Sequence, residues 1–138
     1  MKVIALDVGT KTIGIAIGWT TTHLTQPVMT LQRKSVKKDA RLLEDVCKRQ
    51  GVAMIVVGLP IELDGTEGRS ARLARQVGNE LQAITGLPTE YQDEQYSTLE
   101  AQKRLRESGK NSREQKKMID QVAAMVILED WFGRQQKE

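Results

Sequence analysis

KVIALDVGTKTIGIAIG, residues 2–18, is the stretch from which the fold is read. It spells a strand, a tight turn and a second strand, with one carboxylate, Asp7, where the first strand runs out. Val3 and Ala5 alternate with Ile4 and Leu6, so both faces of that strand are apolar. Such a strand sits centrally in its sheet with helices covering both sides. Gly9 and Gly14 supply the backbone freedom of a turn, and Ile13, Ile15 and Ile17 resume a period of two. An ionised carboxylate beside such a strand is expensive unless a partner, above all a cation, compensates it. The plainer alternative is that Asp7 caps the turn by accepting from the amides of Gly9 or Thr10.

Working outward, residues 23–32 carry strand-like Leu24, Val28 and Leu31 around Pro27, which suits an edge strand or a bulge. The first three strands therefore form an antiparallel meander. Ser35 is placed to cap a helix whose apolar positions Val36, Ala40, Leu43, Val46 and Cys47 follow helical spacing, and Gly51 ends it. Residues 52–58, VAMIVVG, form a short apolar run that reads as a buried strand. Because it follows a helix, a crossover places it parallel to the first strand. The loop LPIELDGT then leaves the same sheet edge as Asp7. A helix follows with Leu73, Val77, Leu81 and Ile84 on one stripe, closed by Gly86. Residues 88–94 form a fifth strand that runs into Asp93 and Glu94. Capping-box patterns at Ser97–Glu100 and Ser112–Gln115 open two more helices, the last running to about Trp131 before a frayed tail. The expected fold is α/β: one domain over residues 1–138, with a five-stranded mixed sheet and helices on both faces.

Composition narrows the chemistry. With 138 residues, 39% hydrophobic and 28% charged, the chain is of ordinary globular make-up and large enough to bury a core. No apolar run approaches the roughly 18 residues of a membrane span, and the start lacks a signal-peptide pattern, so a cytoplasmic protein without a membrane partner is expected. The single cysteine, Cys47, rules out an internal disulfide or a cysteine-based zinc site and reads as a core residue. The single histidine, His23, lies in a threonine-rich turn and leaves serine or cysteine nucleophiles without a base. A net charge of +3 and pI of 9.1 permit a polyanionic partner.

In parallel α/β arrangements ligands gather at the carboxyl ends of strands. Asp7 and the Asp93/Glu94 pair fall on that edge. The last helix, IDQVAAMVIL, is apolar nearly all round and hence buried, with Asp120 at its entry on one face with Ala123, Ala124 and Ile127. A carboxylate on an inward helix face needs a partner, whereas Glu129 and Asp130 at the far end read as solvated. Three carboxylates from separated segments suit a hard cation, Mg²⁺ or Mn²⁺. Two such ions can activate water and stabilise the leaving oxygen of a phosphodiester, which is nuclease chemistry.

The blocks DVGTKTIGIAIG, VVGLPIELDGTE, YQDEQYSTLEA and IDQVAAMVILEDWF, in this order, resemble the YqgF family across residues 2–132. Its members are described as pre-16S ribosomal RNA nucleases and Holliday junction resolvase-like proteins of the ribonuclease H-like fold. The resemblance implies that Asp7, Glu94 and Asp120 are the metal-binding carboxylates, with Asp93 able to share or replace Glu94. It also implies processing of pre-16S rRNA or of branched DNA, by a monomer or homodimer. One departure is Gln95, where the family usually has an arginine after the Asp-Glu pair; a glutamine cannot reproduce a bidentate phosphate contact. Lys11 is a cation able to compensate.

Arg69, Arg72 and Arg75 recur every three residues after the LPIELDGT loop. Lys103, Arg104, Arg106, Lys110, Arg113, Lys116 and Lys117 cluster around the Gly109 turn. Both groups are candidates for phosphate contacts, which set affinity and salt dependence but carry no sequence preference. Tyr96 is the one aromatic beside the proposed acids. Two other readings of the chain are open. Asp-x-Gly-Thr also begins actin-like and sugar-kinase ATPases, but those enclose a nucleotide between two such domains. A non-catalytic nucleic-acid or ribosome-assembly module would keep the fold without the chemistry.

Overall fold

A computed structural model describes residues 1–94 and 97–137, without the side chains at 97, 98, 117, 136 and 137. Its elements are β1 (Lys2–Val8), β2 (Thr12–Trp19), β3 (Thr25–Gln32), α1 (Val36–Gln50), β4 (Met54–Leu59), α2 (Arg69–Thr85), β5 (Thr89–Asp93), α3 (Ser97–Glu107) and α4 (Ser112–Lys137). They build one sheet in the order β3-β2-β1-β4-β5. The first three strands are antiparallel, and β4 and β5 run parallel to β1. The mixed α/β architecture is therefore the one the sequence leads to. Pro27 explains both features expected of β3: it lies on an edge strand, and the register slips opposite it, between Ile15 and Ala16.

β1 is central and covered on both faces, as its double apolar phase requires. Ile4, Leu6 and Val8 join Ile13, Ile15, Ile17, Ile55 and Val57 against Leu43 and Cys47 of α1 and Val77 and Leu81 of α2. Val3 and Ala5, with Met54 and Val56, face Ile127, Leu128, Trp131 and Phe132 of α4. On that second face β2 contributes Thr12 at its start and then the small residues Gly14, Ala16 and Gly18. A Cβ at Gly18 would come within 2.8 Å of Leu128 Cδ2, so the small residues let α4 lie directly on the strand. α3 packs on α4 through Ala101, Leu105, Val122 and Ala123. Ala123 thus faces α3 and not the sheet.

Local signals hold in part. Ser35 Oγ accepts from Lys38 N at 3.2 Å, and Gly51 closes α1 in the left-handed conformation at φ 65°. The expected α2 stripe is displaced: Ala71, Ala74 and Gly78 are buried with Val77 and Leu81, whereas Ile84 is half in solvent. Small residues there admit close packing, and Gly78 lies under the Tyr91 ring. Asn111 caps α4, its Oδ1 accepting from Glu114 N at 2.9 Å, so the cap falls one residue before Ser112. Glu100 accepts from Arg104 Nε at 3.2 Å, while the Ser97 hydroxyl of the first proposed capping box lies outside the described residues. α4 continues to Lys137, past the expected end near Trp131. Arg134 donates to Gln92 Oε1 at 2.9 Å and ties the added turns to β5.

Candidate active site

Asp7 is the next-to-last residue of β1 and not a residue beyond it. It follows Val3 and Ala5 in phase, so its side chain points to the α4 face near the carboxyl end of the strand. Its neighbour across β2 is Gly14. On the other side, Gly58 lies one residue beyond the Leu6–Val57 pair of β4. A row Gly14–Asp7–Gly58 thus crosses the three central strands with a side chain only at its centre, and Thr30 and Gln92 flank it on the edge strands.

Each glycine makes room for another acid. A Cβ on Gly14 would fall on the Asp120 carbonyl group, so the backbone of α4 rests there and brings Asp120 beside Asp7. A Cβ on Gly58 would meet the Glu94 carboxyl group at 2.8 Å. Glu94 follows β5 directly, its amide donating to Leu59 O at 3.2 Å, and it is buried. The carboxyl groups of Asp7 and Glu94 are hydrogen-bonded to each other, and Asp120 lies within electrostatic reach of Asp7. Asp120 Oδ2 accepts from Thr12 Oγ1 at 2.6 Å. Asp93 points elsewhere: it is exposed, and its charge acts on Asp130 of α4.

The electrostatics are those of a site short of positive charge. Burial above all, with the Asp120 charge adding to it and a hydrogen bond with Glu94 opposing it, pushes the Asp7 carboxyl up to about 6. Among the described residues no cation contributes to this shift. Among the described residues no three acid, thiol or imidazole side chains stand close enough together to clasp one ion. The donor chemistry of Asp7, Glu94 and Asp120 nevertheless fits a hard divalent cation, since all three offer carboxylate oxygens.

The expected phosphate contacts divide. Lys11, Arg69, Arg72, Lys103, Arg106, Lys110, Arg113 and Lys116 are exposed and, among the described residues, carry no ion pair. Arg75 is different. It grips Glu67 through two bonds of 2.6 and 2.7 Å and lies 4.8 Å over the Tyr91 ring. Arg104 is likewise bound to Glu129 by two bonds of 2.8 Å and to Glu100. Both guanidiniums are thus paired with acids of their own chain, unlike the other candidates among the described residues. Glu129, expected to be solvated, is the acid that holds Arg104. The Lys117 side chain, Gln95 and Tyr96 lie outside the described residues. His23 sits at the other end of α4, stacked on Phe132 at 4.8 Å between ring centres.

What residue-level reading missed is the pair of glycines and Thr12. The signal was present in D-V-G-T-K-T-I-G, where a strand residue paired with the acid is itself a glycine.

A five-stranded mixed sheet in the order β3-β2-β1-β4-β5 with helices on both faces is the plan of a ribonuclease H-like fold. The chain superposes on T. thermophilus RuvC bound to a Holliday junction substrate with a TM-score of 0.64 over 99% of its length and 96% of RuvC, at 12% identity. Against fowlpox virus resolvase in complex with junction DNA the TM-score is 0.63, with 98% and 99% covered at 11% identity. At these identities the likeness is one of fold. The chain belongs to the RuvX family, described as Holliday junction resolvase, whose model matches residues 1–134. A relative from Anaeromyxobacter sp. (strain K) is 40% identical over 97% of this chain and 98% of its own. One from Moorella thermoacetica is 39% identical over 97% and 96%. Both bear the name "Putative pre-16S rRNA nuclease". The protein is thus a nuclease by family, a hydrolase of a fold that generally works with divalent metal ions. No helix among the described residues is long and apolar enough to cross a membrane.

Proposed function

We propose that the protein is a Mg²⁺- or Mn²⁺-dependent endonuclease that trims the 5′ end of pre-16S rRNA, with Asp7, Glu94 and Asp120 as its metal-holding carboxylates. The observation that carries this reading is the meeting of three acids, from β1, the end of β5 and α4, around the Gly14–Asp7–Gly58 row. The relatives' name supports the RNA substrate. When bound, a pair of divalent ions supplies an activated water and stabilises the leaving oxygen.

The chain's own part is placement. β1 fixes Asp7 at the centre of a rigid sheet, while Glu94 and Asp120 approach from either side over the two glycines. Asp93 is an outer acid in this scheme. Lys11 lies on the turn that follows Asp7, and Arg69 and Arg72 open α2 beyond the loop after β4. With Lys103, Lys110, Arg113 and Lys116 around the α3–α4 corner they hold backbone phosphates. Such contacts set register on the substrate without reading its sequence.

A second substrate, branched DNA, is favoured by the family's description and by two structural neighbours solved on junctions. Side-by-side digestion of a ribosomal RNA precursor and a mobile four-way junction, with Mg²⁺ and then chelator, separates the two. Asp7→Asn and Asp120→Asn are expected to abolish product while leaving substrate binding in chelator intact. Equal trace cleavage by wild type and both variants would instead identify a binding module that keeps the fold without the chemistry.

A further inference from the structure

Thr12 is the first residue of β2, two before Gly14, so its side chain faces α4. Its hydroxyl makes the 2.6 Å bond to Asp120 Oδ2, which spans 108 residues of chain. With Oδ2 engaged, the rotation of the Asp120 carboxyl group is fixed and its other oxygen is left for a further partner. A bond of this kind is useful only if the hydroxyl itself is held, and the turn that carries it is held unusually firmly. Gly9 N donates to Thr12 O at 2.8 Å, and Arg33 N donates to Lys11 O at 2.9 Å. Arg33 Nη1 donates to Gly9 O at 3.2 Å, while its Nε pairs with Asp39 Oδ2 at 3.0 Å.

That ion pair is out of water: the Asp39 side chain is 0% exposed and that of Arg33 9%. Asp39 Oδ1 also accepts from Lys34 N at 2.9 Å, so both its oxygens are used. A buried ion pair contributes little net stability over a well-packed apolar pair, because desolvation offsets the attraction. What it does give is a single geometry for the groups it binds. Here those groups are the carbonyl of Gly9 and, through the ladder beside it, the turn over residues 9–12. A continuous path of bonded groups therefore runs from the first turn of α1, through Arg33 and the turn, to the Asp120 carboxylate.

We infer that Thr12 is a positioning residue for the metal site, orienting Asp120 from a turn locked by the buried Arg33–Asp39 pair. This rests on the metal-holding role given to Asp120 under Proposed function. Groups that orient a metal-ligating side chain in this way are typically worth about ten- to a hundredfold in metal affinity.

The test is Mn²⁺ affinity by calorimetry on the full chain, with no substrate present. Thr12→Val keeps the shape of the side chain and removes the donor; Thr12→Ser keeps the donor. Thr12→Val is expected to weaken Mn²⁺ binding about tenfold, with Thr12→Ser within about twofold of wild type. Arg33→Lys, which loses the fork that spans Gly9 and Asp39, is expected to weaken binding in the same direction. If Thr12→Val binds Mn²⁺ as wild type does and only melts earlier, Thr12 is structural and the inference is overturned. If wild type itself binds no Mn²⁺, the metal-holding role of the acids falls first and this inference with it.

Discussion

Asp7→Asn should make the metal-free protein more stable while destroying its activity. In the folded chain the Asp7 carboxyl is raised from 3.8 to about 6, with burial the main cause and the Asp120 charge adding to it. The native state therefore holds this proton more tightly than the unfolded chain does. Stability must fall as pH rises between those two values, and the penalty is complete above about pH 6. About two pKa units at 1.36 kcal/mol each give a penalty of about 3 kcal/mol. Asparagine has the same shape and no charge, so at pH 7.5 it escapes most of that penalty. Urea unfolding in chelator, at pH 7.5 and again at pH 4, measures the effect. Asp7→Asn should exceed wild type by about 2–3 kcal/mol at pH 7.5 and by little at pH 4. Adding Mn²⁺ at pH 7.5 should narrow the gap, since a ligand of the native state stabilises wild type by mass action. A variant no more stable than wild type at pH 7.5 would refute the claim that the Asp7 charge is uncompensated.

Other consequences are as direct. Gly14→Ala places a methyl group on the Asp120 carbonyl, so α4 must lift; unfolding should show a loss of at least about 2 kcal/mol, and Mn²⁺ binding should fail with it. Charge removal at Lys110, Arg113 or Lys116 should weaken nucleic-acid binding and lower the salt slope by about one each, whereas Arg104→Met should leave the slope unchanged. Binding titrations at three salt concentrations check both statements. The Cys47 thiol, pushed up to about 11 mainly by burial, should resist disulfide reagents at pH 8 in the native state and react at once in urea.

The fold was legible where one residue type admits one answer. A strand apolar on both phases reads as central, Pro27 suits an edge strand or a bulge and β3 has both, and a helix between apolar runs makes a parallel crossover. Boundaries were less so, because α4 runs on to Lys137 with its last turns tied to β5 by the Arg134–Gln92 bond, a contact with no local signature. The meeting of Asp7, Glu94 and Asp120 followed from placing acids at strand ends and on a buried helix. The glycines that make the meeting possible, and the Thr12 bond, depend on which residues face each other across strands and were not visible one residue at a time. The same holds for Arg75 and Arg104, whose partners Glu67 and Glu129 lie eight and 25 residues away. A basic run on a helix looks alike whether it meets a phosphate or an acid of its own chain.

The central claim is that one divalent site is built from Asp7, Glu94 and Asp120. Crystals soaked in Mn²⁺ and measured at the manganese absorption edge locate the ion directly. An anomalous peak should stand at about 2.0–2.5 Å from carboxylate oxygens that include Asp7 and at least one of Glu94 and Asp120. Manganese bound only elsewhere on the surface, with the Asp7–Glu94 hydrogen bond still intact, would contradict it.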